Sequence, residues 1–263
     1  MKNYLLFLSA VVLLAFSSCQ KVIDVNLNEA DPQLSIDAVY NATDENIRVI
    51  LGLSSNYFSN EESAPIDAAL VTMIDSAGVE VNVPNIGGGT YQLNNYVPIF
   101  NSNYTLRIEH DGEVYTATSF LQEVTALSFI STLFVEEDLF GDEGYVAFIN
   151  FNNDQSKDIF FRVIPFVGDT LLYEPDDLFL FDNEVTGAGN VQVPLFTDRF
   201  QIGDTVDIEL RSLNETTYNY YNEVSVILSG QSAAPTNPTT NWDNGALGLF
   251  QTWGYSKKRK IIE

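Results

Sequence analysis

The sequence predicts a mainly β protein built from two sandwich-like units, the second of which carries one packed helix. Apolar or alternating runs of strand length recur from Leu34 onward, and turns containing Gly, Pro and Asn separate them. One segment, Glu215 to Ser229, has helical periodicity instead. A hydrophobic content of 45% with 13% aromatic residues indicates a folded core despite the high negative charge.

Residues 1–18 have the three parts of a secretory signal peptide. Lys2 begins it, an apolar stretch follows from Tyr4 to Phe16, and two small serines stand directly before Cys19. The stretch is shorter than the roughly 20 residues of a membrane-spanning helix. Small residues before the single cysteine resemble a bacterial lipobox, which predicts that Cys19 is the lipid attachment site and the first residue of the mature chain. The alternative is an ordinary signal peptide cut near Ser18.

A lipid on Cys19 would hold the protein at a membrane, since each buried methylene contributes roughly 0.8 kcal/mol and several acyl chains are attached. Residues 19–33, which are polar and include Pro32, are expected to form a tether between the anchor and the first folded unit. An acylated Cys19 leaves no thiol for a disulfide, so the fold depends on its hydrophobic core.

The N-terminal β-sandwich is predicted over residues 34–125. Its best-defined hairpin is Tyr104 to Phe120, in which apolar and polar residues alternate on both sides of the tight turn Asp111-Gly112. Short strands at regular spacing, with turn residues between them, are typical of a sandwich.

The C-terminal β-rich domain is predicted over residues 126–255, with a helix near residues 215–229. Apolar runs of strand length fill most of the domain, and Gly230 can end the helix. Ser212 and Glu215 have the spacing of a capping box at the helix N-terminus.

Residues 256–263 are predicted to be a basic tail on an otherwise acidic chain. Lys257 to Lys260 read KKRK and hold a third of all lysine and arginine residues. Terminal segments of this kind are usually solvated and mobile, which is the prediction here. The alternative is contact with anionic head groups or with an acidic partner, an effect that salt would screen.

The formal net charge of -24 and the pI of about 4.1 argue against nucleic acid as a partner, because phosphate binding needs clustered basic residues. The loops 138–145 and 150–158 are rich in oxygen ligands and leave calcium binding open as an alternative. Neither has the ligand spacing of an EF-hand, so no metal site is predicted. The glycine-rich stretch 85–91 lacks a P-loop lysine and a following helix, so no cofactor is predicted either.

The sequence offers no catalytic set. His110 is the only histidine and lies beside a predicted hairpin turn, where a solvated side chain is the expected role. Cys19 cannot act as a nucleophile once it is acylated. Carboxylate pairs such as Asp138 with Asp142 are expected by chance in so acidic a chain. We therefore predict a protein that is not an enzyme.

The large aromatic residues near the C terminus have two interpretations. Packing in the core is their usual role in a sandwich. The alternative is an exposed platform that stacks on sugar rings, formed by Trp242, Trp253, Tyr218, Tyr220 and Tyr221. Trp242 is the best candidate for ligand binding because it lies in a polar loop.

Several features occur together in this chain: the lipobox Cys19, the run from Gly89 to Ala117, the stretch from Gly203 to Leu213, the Tyr-rich helix after it, and the closing segment from Pro235 to Phe250. Together they resemble a Bacteroidota lipoprotein family known only as domain of unknown function 4249. The closing segment, with Thr-Asn before Asn-Gly-Ala-Leu-Gly, is the most specific of them.

The resemblance implies an outer-membrane lipoprotein whose first domain is similar to the prealbumin-like sandwich of carboxypeptidase regulatory domains. It also implies proximity to TonB-dependent outer-membrane receptors, and it supplies no catalytic residues. Asp24 is the only acidic residue close behind Cys19. Because surface export usually needs several such residues, the periplasmic and the cell-surface face of the outer membrane both stay open.

Two hypotheses about function follow. The first is a non-catalytic accessory or interaction protein of the cell envelope that docks with an outer-membrane barrel receptor. The second is a surface lipoprotein that binds a glycan or a peptide. Docking predicts an exposed apolar patch of several hundred Å², whereas capture predicts a concave site with aromatic faces and a few polar groups.

Overall fold

The computed structural model describes residues 32–54, 64–137, 141–168, 170–172, 178–195, 199–230 and 236–263. The predicted signal peptide, Cys19 and the tether up to residue 31 lie outside the described residues. Within the described ranges the chain forms sixteen strands and one helix, which confirms the mainly β fold with a single helix. No helix in this part of the chain has the length and apolarity that a membrane crossing requires.

The first eight strands are β1 Leu34–Asn41, β2 Asn46–Leu53, β3 Leu70–Ile74, β4 Glu80–Asn82, β5 Asn85–Gly87, β6 Thr90–Asn94, β7 Ser102–His110 and β8 Glu113–Leu121. The remaining elements are β9 Leu127–Val135, β10 Gly144–Asn153, β11 Phe160–Val167, β12 Thr170–Leu171, β13 Phe179–Asp182, β14 Gly189–Pro194, β15 Thr205–Leu213, helix α1 Glu215–Leu228 and β16 Leu247–Ile261.

The strands form three sheets. The nine-stranded sheet has the order β12-β11-β15-β16-β1-β2-β6-β5, and β13 pairs with β11 beside it. The four-stranded sheet has the order β4-β3-β7-β8, and the three-stranded sheet has the order β14-β10-β9. Each smaller sheet covers a different half of the large one.

The strand β16 joins the two halves of the nine-stranded sheet. Its residues Leu247–Trp253 pair in parallel with β1, and its residues Gly254–Ile261 pair antiparallel with β15. The first hydrophobic core contains side chains of β1, β3 and β7, together with Trp242, Ala246 and Phe250 from the far end of the chain. The second core contains side chains of β10, β11 and β15 together with Ile262. The C-terminal segment therefore contributes to both cores.

The prediction that residues 256–263 form a solvated, mobile basic tail is wrong, because Lys257 to Lys260 lie inside β16. The antiparallel register places Arg259 opposite Asp207 on β15. Their side chains form a two-point ion pair, with Nε to Oδ1 at 2.8 Å and Nη2 to Oδ2 at 2.6 Å. An acidic side chain on a strand far away in sequence thus helps to stabilise a basic segment as a strand.

The helix α1 confirms the prediction from periodicity. Its N-cap is Asn214, whose Oδ1 accepts a hydrogen bond from the Thr217 N–H at 2.9 Å. The capping role expected for Ser212 is wrong, because Ser212 still lies in β15. Its hydroxyl oxygen instead accepts from the Thr125 N–H at 2.9 Å.

The predicted hairpin is confirmed as β7 and β8, which pair along their whole length. Asp111 has a φ of 50° and Gly112 a φ of 85°, so both central turn residues are left-handed. This is the conformation of a type I′ turn, whose twist matches that of the two strands it joins.

Replacing Gly248 tests how closely β1 and β16 must approach each other. Gly248 has a φ of +94°, and a Cβ atom on it would overlap the carbonyl oxygen of Ile36 on β1. We expect Gly248→Ala to lower the free energy of unfolding by at least about 3 kcal/mol, measured by urea denaturation.

Gly78→Ala is the matched control for Gly248→Ala. Gly78 has a φ of +80°, but no atom beyond its chain neighbours lies within 4 Å of the position that a Cβ would take. In this variant the free energy of unfolding should fall by only about 1–2 kcal/mol, which is the cost of the left-handed conformation for alanine. Equal losses in the two variants would contradict a tight backbone contact between β1 and β16.

Candidate functional site

The outer side of the three-stranded sheet is largely apolar. The antiparallel register places Leu133 opposite Val146 and Phe148 opposite Pro194, so these side chains share one side of the sheet. Phe129 lies on the same side, and Phe129 and Leu133 are each 57% exposed. The alternate residues of β10 fill the second core. We call Phe129, Leu133, Val146, Phe148 and Pro194 the apolar face.

A row of polar side chains crosses the apolar face. The Ser131 hydroxyl oxygen accepts from Asn150 Nδ2 at 2.8 Å and from Gln192 Nε2 at 2.7 Å. A groove of ≈ 290 Å³ lies beside this row, with Phe129 in its wall. The two amide nitrogens are thus engaged with Ser131, and Phe129 and Val191 add apolar contact to the groove.

A second candidate surface lies beneath α1, on the outer side of the nine-stranded sheet. Arg162 in β11 and Arg211 in β15 are directly opposite each other, so both side chains lie on one side of the sheet. Arg162 Cζ lies 4.6 Å from the ring centre of Tyr221, and Arg211 Cζ lies 3.8 Å from that of Trp253. These cation–π contacts hold both planar guanidinium groups in a fixed orientation.

The two arginine–aromatic stacks are connected by Gln251. Its Oε1 accepts from the Tyr221 hydroxyl at 2.8 Å and from Trp253 Nε1 at 3.2 Å. Glu209 adds one carboxylate, with Oε1 at 2.6 Å from Arg211 Nε. We call the connected set the arginine network; its members are Arg162, Arg211, Glu209, Tyr221, Gln251 and Trp253.

The arginine network holds two cations and one carboxylate. Burial lowers the pKa of Arg162, and repulsion by Arg211 lowers it further, although Tyr221 and Glu209 oppose this. The Arg211 side chain is 19% exposed, and its carboxylate partner Glu209 is 11% exposed. In the described part of the chain, no carboxylate lies within ion-pair distance of Arg162. The network therefore carries an uncompensated positive charge.

The prediction that Trp242 is exposed is wrong. Its side chain is 5% exposed and packs in the first core, with its ring centre 6.3 Å from that of Phe250. The polar residues around it cause the burial: Asp243 accepts from both the backbone N–H and the hydroxyl of Thr116 on β8. These bonds fix the loop against β8 and leave Trp242 pointing inward.

The other predicted platform aromatics are also used in packing. Trp253 is 6% exposed beneath Arg211. The Tyr218 ring stacks on Phe160 with ring centres 4.7 Å apart, and Tyr220 makes an edge contact with Tyr221. These rings therefore pack between α1 and the outer side of the large sheet, and none of them lies in either hydrophobic core.

His110 lies at the end of β7, where its Nδ1 is 3.1 Å from the carbonyl oxygen of Ala68. The described ranges contain no group of three His, Cys, Asp or Glu side chains arranged to hold a metal ion. Asp142 is exposed, and its candidate partner Asp138 lies outside the described residues. The carboxylate beside His110 is that of the exposed turn residue Asp111, whose Oδ2 lies 3.5 Å from His110 Nε2.

The glycine-rich loop surrounds a carboxylate of the protein itself. Asp67 Oδ1 accepts from the Gly89 N–H at 2.7 Å and from Asn85 Nδ2 at 3.1 Å. These hydrogen bonds lower the pKa of Asp67. Gly87, Gly88 and Gly89 all have positive φ, which lets the backbone turn around the carboxylate. An internal anion therefore occupies the position that a phosphate would take in a phosphate-binding loop.

Sequence reasoning missed the arginine network and the apolar face. Both depend on which residues lie opposite each other on paired strands, and a single sequence does not specify that pairing. One local signal is present: Arg162 interrupts the strongly apolar strand β11, whereas Arg211 lies on the charged side of the alternating strand β15. A charged residue inside such a strand indicates either a bound partner or a functional site.

The fold defines a mainly β protein of sandwich-like units with one helix. The family model described as "Domain of unknown function (DUF4249)" matches residues 20–259, and the chain belongs to this family. No curated protein matches the sequence.

Several solved structures are similar to this chain at low sequence identity. A two-domain fibronectin type-III segment of chicken tenascin is 14% identical, with 69% of this chain and 91% of that chain covered and a TM-score of 0.23. A cytokine receptor complex is 8% identical, with 70% and 92% covered and a TM-score of 0.29. The FN1–FN3 domains of chicken CNTN1 are 9% identical, with 89% and 69% covered and a TM-score of 0.30.

Removing one hydroxyl tests whether the arginine network holds α1 on the sheet. Tyr221→Phe deletes the donor to Gln251 and should lower the free energy of unfolding by about 1 kcal/mol. Tyr218→Phe is the control, because the Tyr218 ring stacks on Phe160 and loses no hydrogen bond that involves the network. Its stability should stay within about 0.5 kcal/mol of the wild type. Both values come from urea denaturation, and equal losses would contradict this role.

Proposed function

We propose that this chain is a lipid-anchored, non-catalytic interaction protein of the bacterial cell envelope. In this proposal Cys19 carries the lipid, the protein belongs to the outer membrane of a Bacteroidota cell, and the apolar face docks with a TonB-dependent barrel receptor. The apolar face is the single observation that carries the docking step. The anchor rests on the sequence around Cys19.

The apolar face has the composition of a protein interface. Phe129 and Leu133 are more than half exposed although they are large apolar side chains, and Val146 and Phe148 extend the same surface. Exposed apolar surface of this kind on a folded protein marks contact with another macromolecule. The interface core of stable complexes is likewise apolar and poor in charged residues.

A protein partner suits this surface better than a sugar does. Sugar recognition needs exposed aromatic faces and polar groups aimed at hydroxyls, but the amide nitrogens beside the face already donate to Ser131. Trp242, on which the alternative of glycan or peptide capture depended, is buried. A barrel receptor would be within reach of a protein that a lipid holds in the same membrane.

Docking predicts that the apolar face is needed to retain the receptor. We expect Phe129→Ser combined with Leu133→Ser to lower the amount of co-purified barrel protein by about tenfold or more after affinity purification from detergent-solubilised membranes, because two large apolar contacts are lost. The control is Val97→Ser with Val185→Ser, which replaces side chains that are 70% and 76% exposed elsewhere on the surface.

The outcomes separate the parts of the docking proposal. Unchanged recovery of the receptor with the Phe129 and Leu133 variant would contradict docking through the apolar face. A wild-type preparation without any barrel protein would contradict the choice of partner. Tight glycan binding by that preparation would support the alternative function instead.

Lipid attachment is tested independently of docking. Radiolabelled palmitate should enter the wild-type protein, and Cys19→Ala should remove the label completely, because no second cysteine exists in the chain. Cys19→Ala should also move the protein from the membrane fraction to the soluble fraction. Label that persists in Cys19→Ala would contradict the anchor.

A further inference from the structure

We propose that the arginine network is a binding site for an oxyanion, meaning a carboxylate or phosphate group of a ligand, held between Arg162 and Arg211. This site lies on the nine-stranded sheet and is separate from the apolar face on the three-stranded sheet. It does not depend on docking or on the lipid anchor.

Charge is the first argument for the site. Arg162 and Arg211 occupy directly opposite positions on neighbouring strands, an arrangement in which like charges repel. Glu209 compensates one of them by its contact with Arg211 Nε. The chain has a formal net charge of -24, so acidic residues are abundant, yet none lies within ion-pair distance of Arg162 in the described ranges. An added anion would supply the missing countercharge.

Geometry is the second argument. The Tyr221 and Trp253 rings support the two guanidinium planes, so neither side chain must be ordered when a ligand arrives. Glu209 bonds to Nε of Arg211, and the terminal nitrogens of Arg211 have no acceptor among the described residues. A guanidinium fork with free terminal nitrogens matches the two oxygens of a carboxylate or phosphate.

Burial is the third argument. Arg211 keeps 19% of its side chain exposed, which leaves access for a small group but excludes most water. Charge-assisted hydrogen bonds are stronger in such a partly desolvated place than at a fully exposed surface. The lowered pKa of Arg162 reports the same cost of holding a cation there without a full partner.

Two further acidic residues on elements near α1 do not supply the countercharge for Arg162 and Arg211. The Glu223 carboxylate accepts from the backbone N–H and the hydroxyl of Thr239. Asp37 is on β1, where burial raises the pKa of its carboxyl group and Arg48 partly opposes this. The Glu223 carboxylate is therefore engaged outside the arginine network, and Asp37 forms no ion pair with Arg162 or Arg211 among the described residues.

Thermal denaturation with inorganic phosphate tests the site. Sodium phosphate should raise the Tm of the purified protein saturably, by about 3 °C at ten times its Kd, relative to sodium chloride at equal ionic strength. Arg162→Gln and Arg211→Gln should each remove this difference. Arg48→Gln is the matched control, because Arg48 is an exposed arginine on β2 of the same sheet. It should respond like the wild type.

Acetate distinguishes the two oxyanion sources. A saturable rise in Tm with phosphate alone supports the site and assigns it to phosphate groups. A saturable rise with acetate alone supports the site and assigns it to carboxylates. A response to neither anion beyond that to chloride overturns the proposal. An undiminished response in both Arg162→Gln and Arg211→Gln also overturns it, because general exclusion of phosphate from the protein surface would then explain the stabilisation.

A measurement on the unaltered protein covers the case in which the variants do not fold. In ¹⁵N-labelled wild-type protein, phosphate should shift the Nε–Hε signals of the two network arginines and leave those of the other arginines in place. Quenching or enhancement of Trp253 fluorescence should follow the same saturation curve, since Trp253 lies against Arg211. Uniform small shifts of all arginine signals would overturn the proposal.

Discussion

The pairing of β16 with both β1 and β15 is the constraint on which the rest of the structure depends. One strand completes the sheet over the first core with its N-terminal part and the sheet over the second core with its C-terminal part. Side chains alternate between the two sides of a strand, so the residues of β16 that face either core must be an even number of positions apart. Phe250 in the first core and Ile262, directly after β16, in the second satisfy this rule.

The residues of β16 that point to the other side of the sheet, away from the cores, account for part of the arginine network. Gln251 and Trp253 point away from the cores, where α1 and the outward side chains of β11 and β15 meet them. Polar and aromatic groups can occupy this side because the helix covers it only in part. The same alternation that excludes polar groups from the cores thus collects them on the outer side of the sheet, next to Arg162 and Arg211.

Local features of the fold were predictable from the sequence, and pairing partners were not. The β7–β8 hairpin and α1 depend on residues close in the chain, such as Asp111-Gly112 and the periodic side chains after Asn214. The basic end of β16 is not predictable as a strand because its partner Asp207 is distant in sequence. The burial of Trp242 is not predictable either, because the hydrogen bonds that fix its loop reach back to Thr116. Polarity of neighbouring residues indicates exposure only when those residues bond to water rather than to another strand.

The parallel pairing of β1 with β16 also determines when the protein can fold. The first described strand and the last one are neighbours, so the large sheet cannot close until β16 has been synthesised. Until then β1 and β15 each have an unpaired edge, which is the form of a sheet most prone to aggregation. Contacts between distant parts of a chain also form slowly. A chain of this topology therefore keeps these strand edges open, and accessible to chaperones, until its last strand has been synthesised.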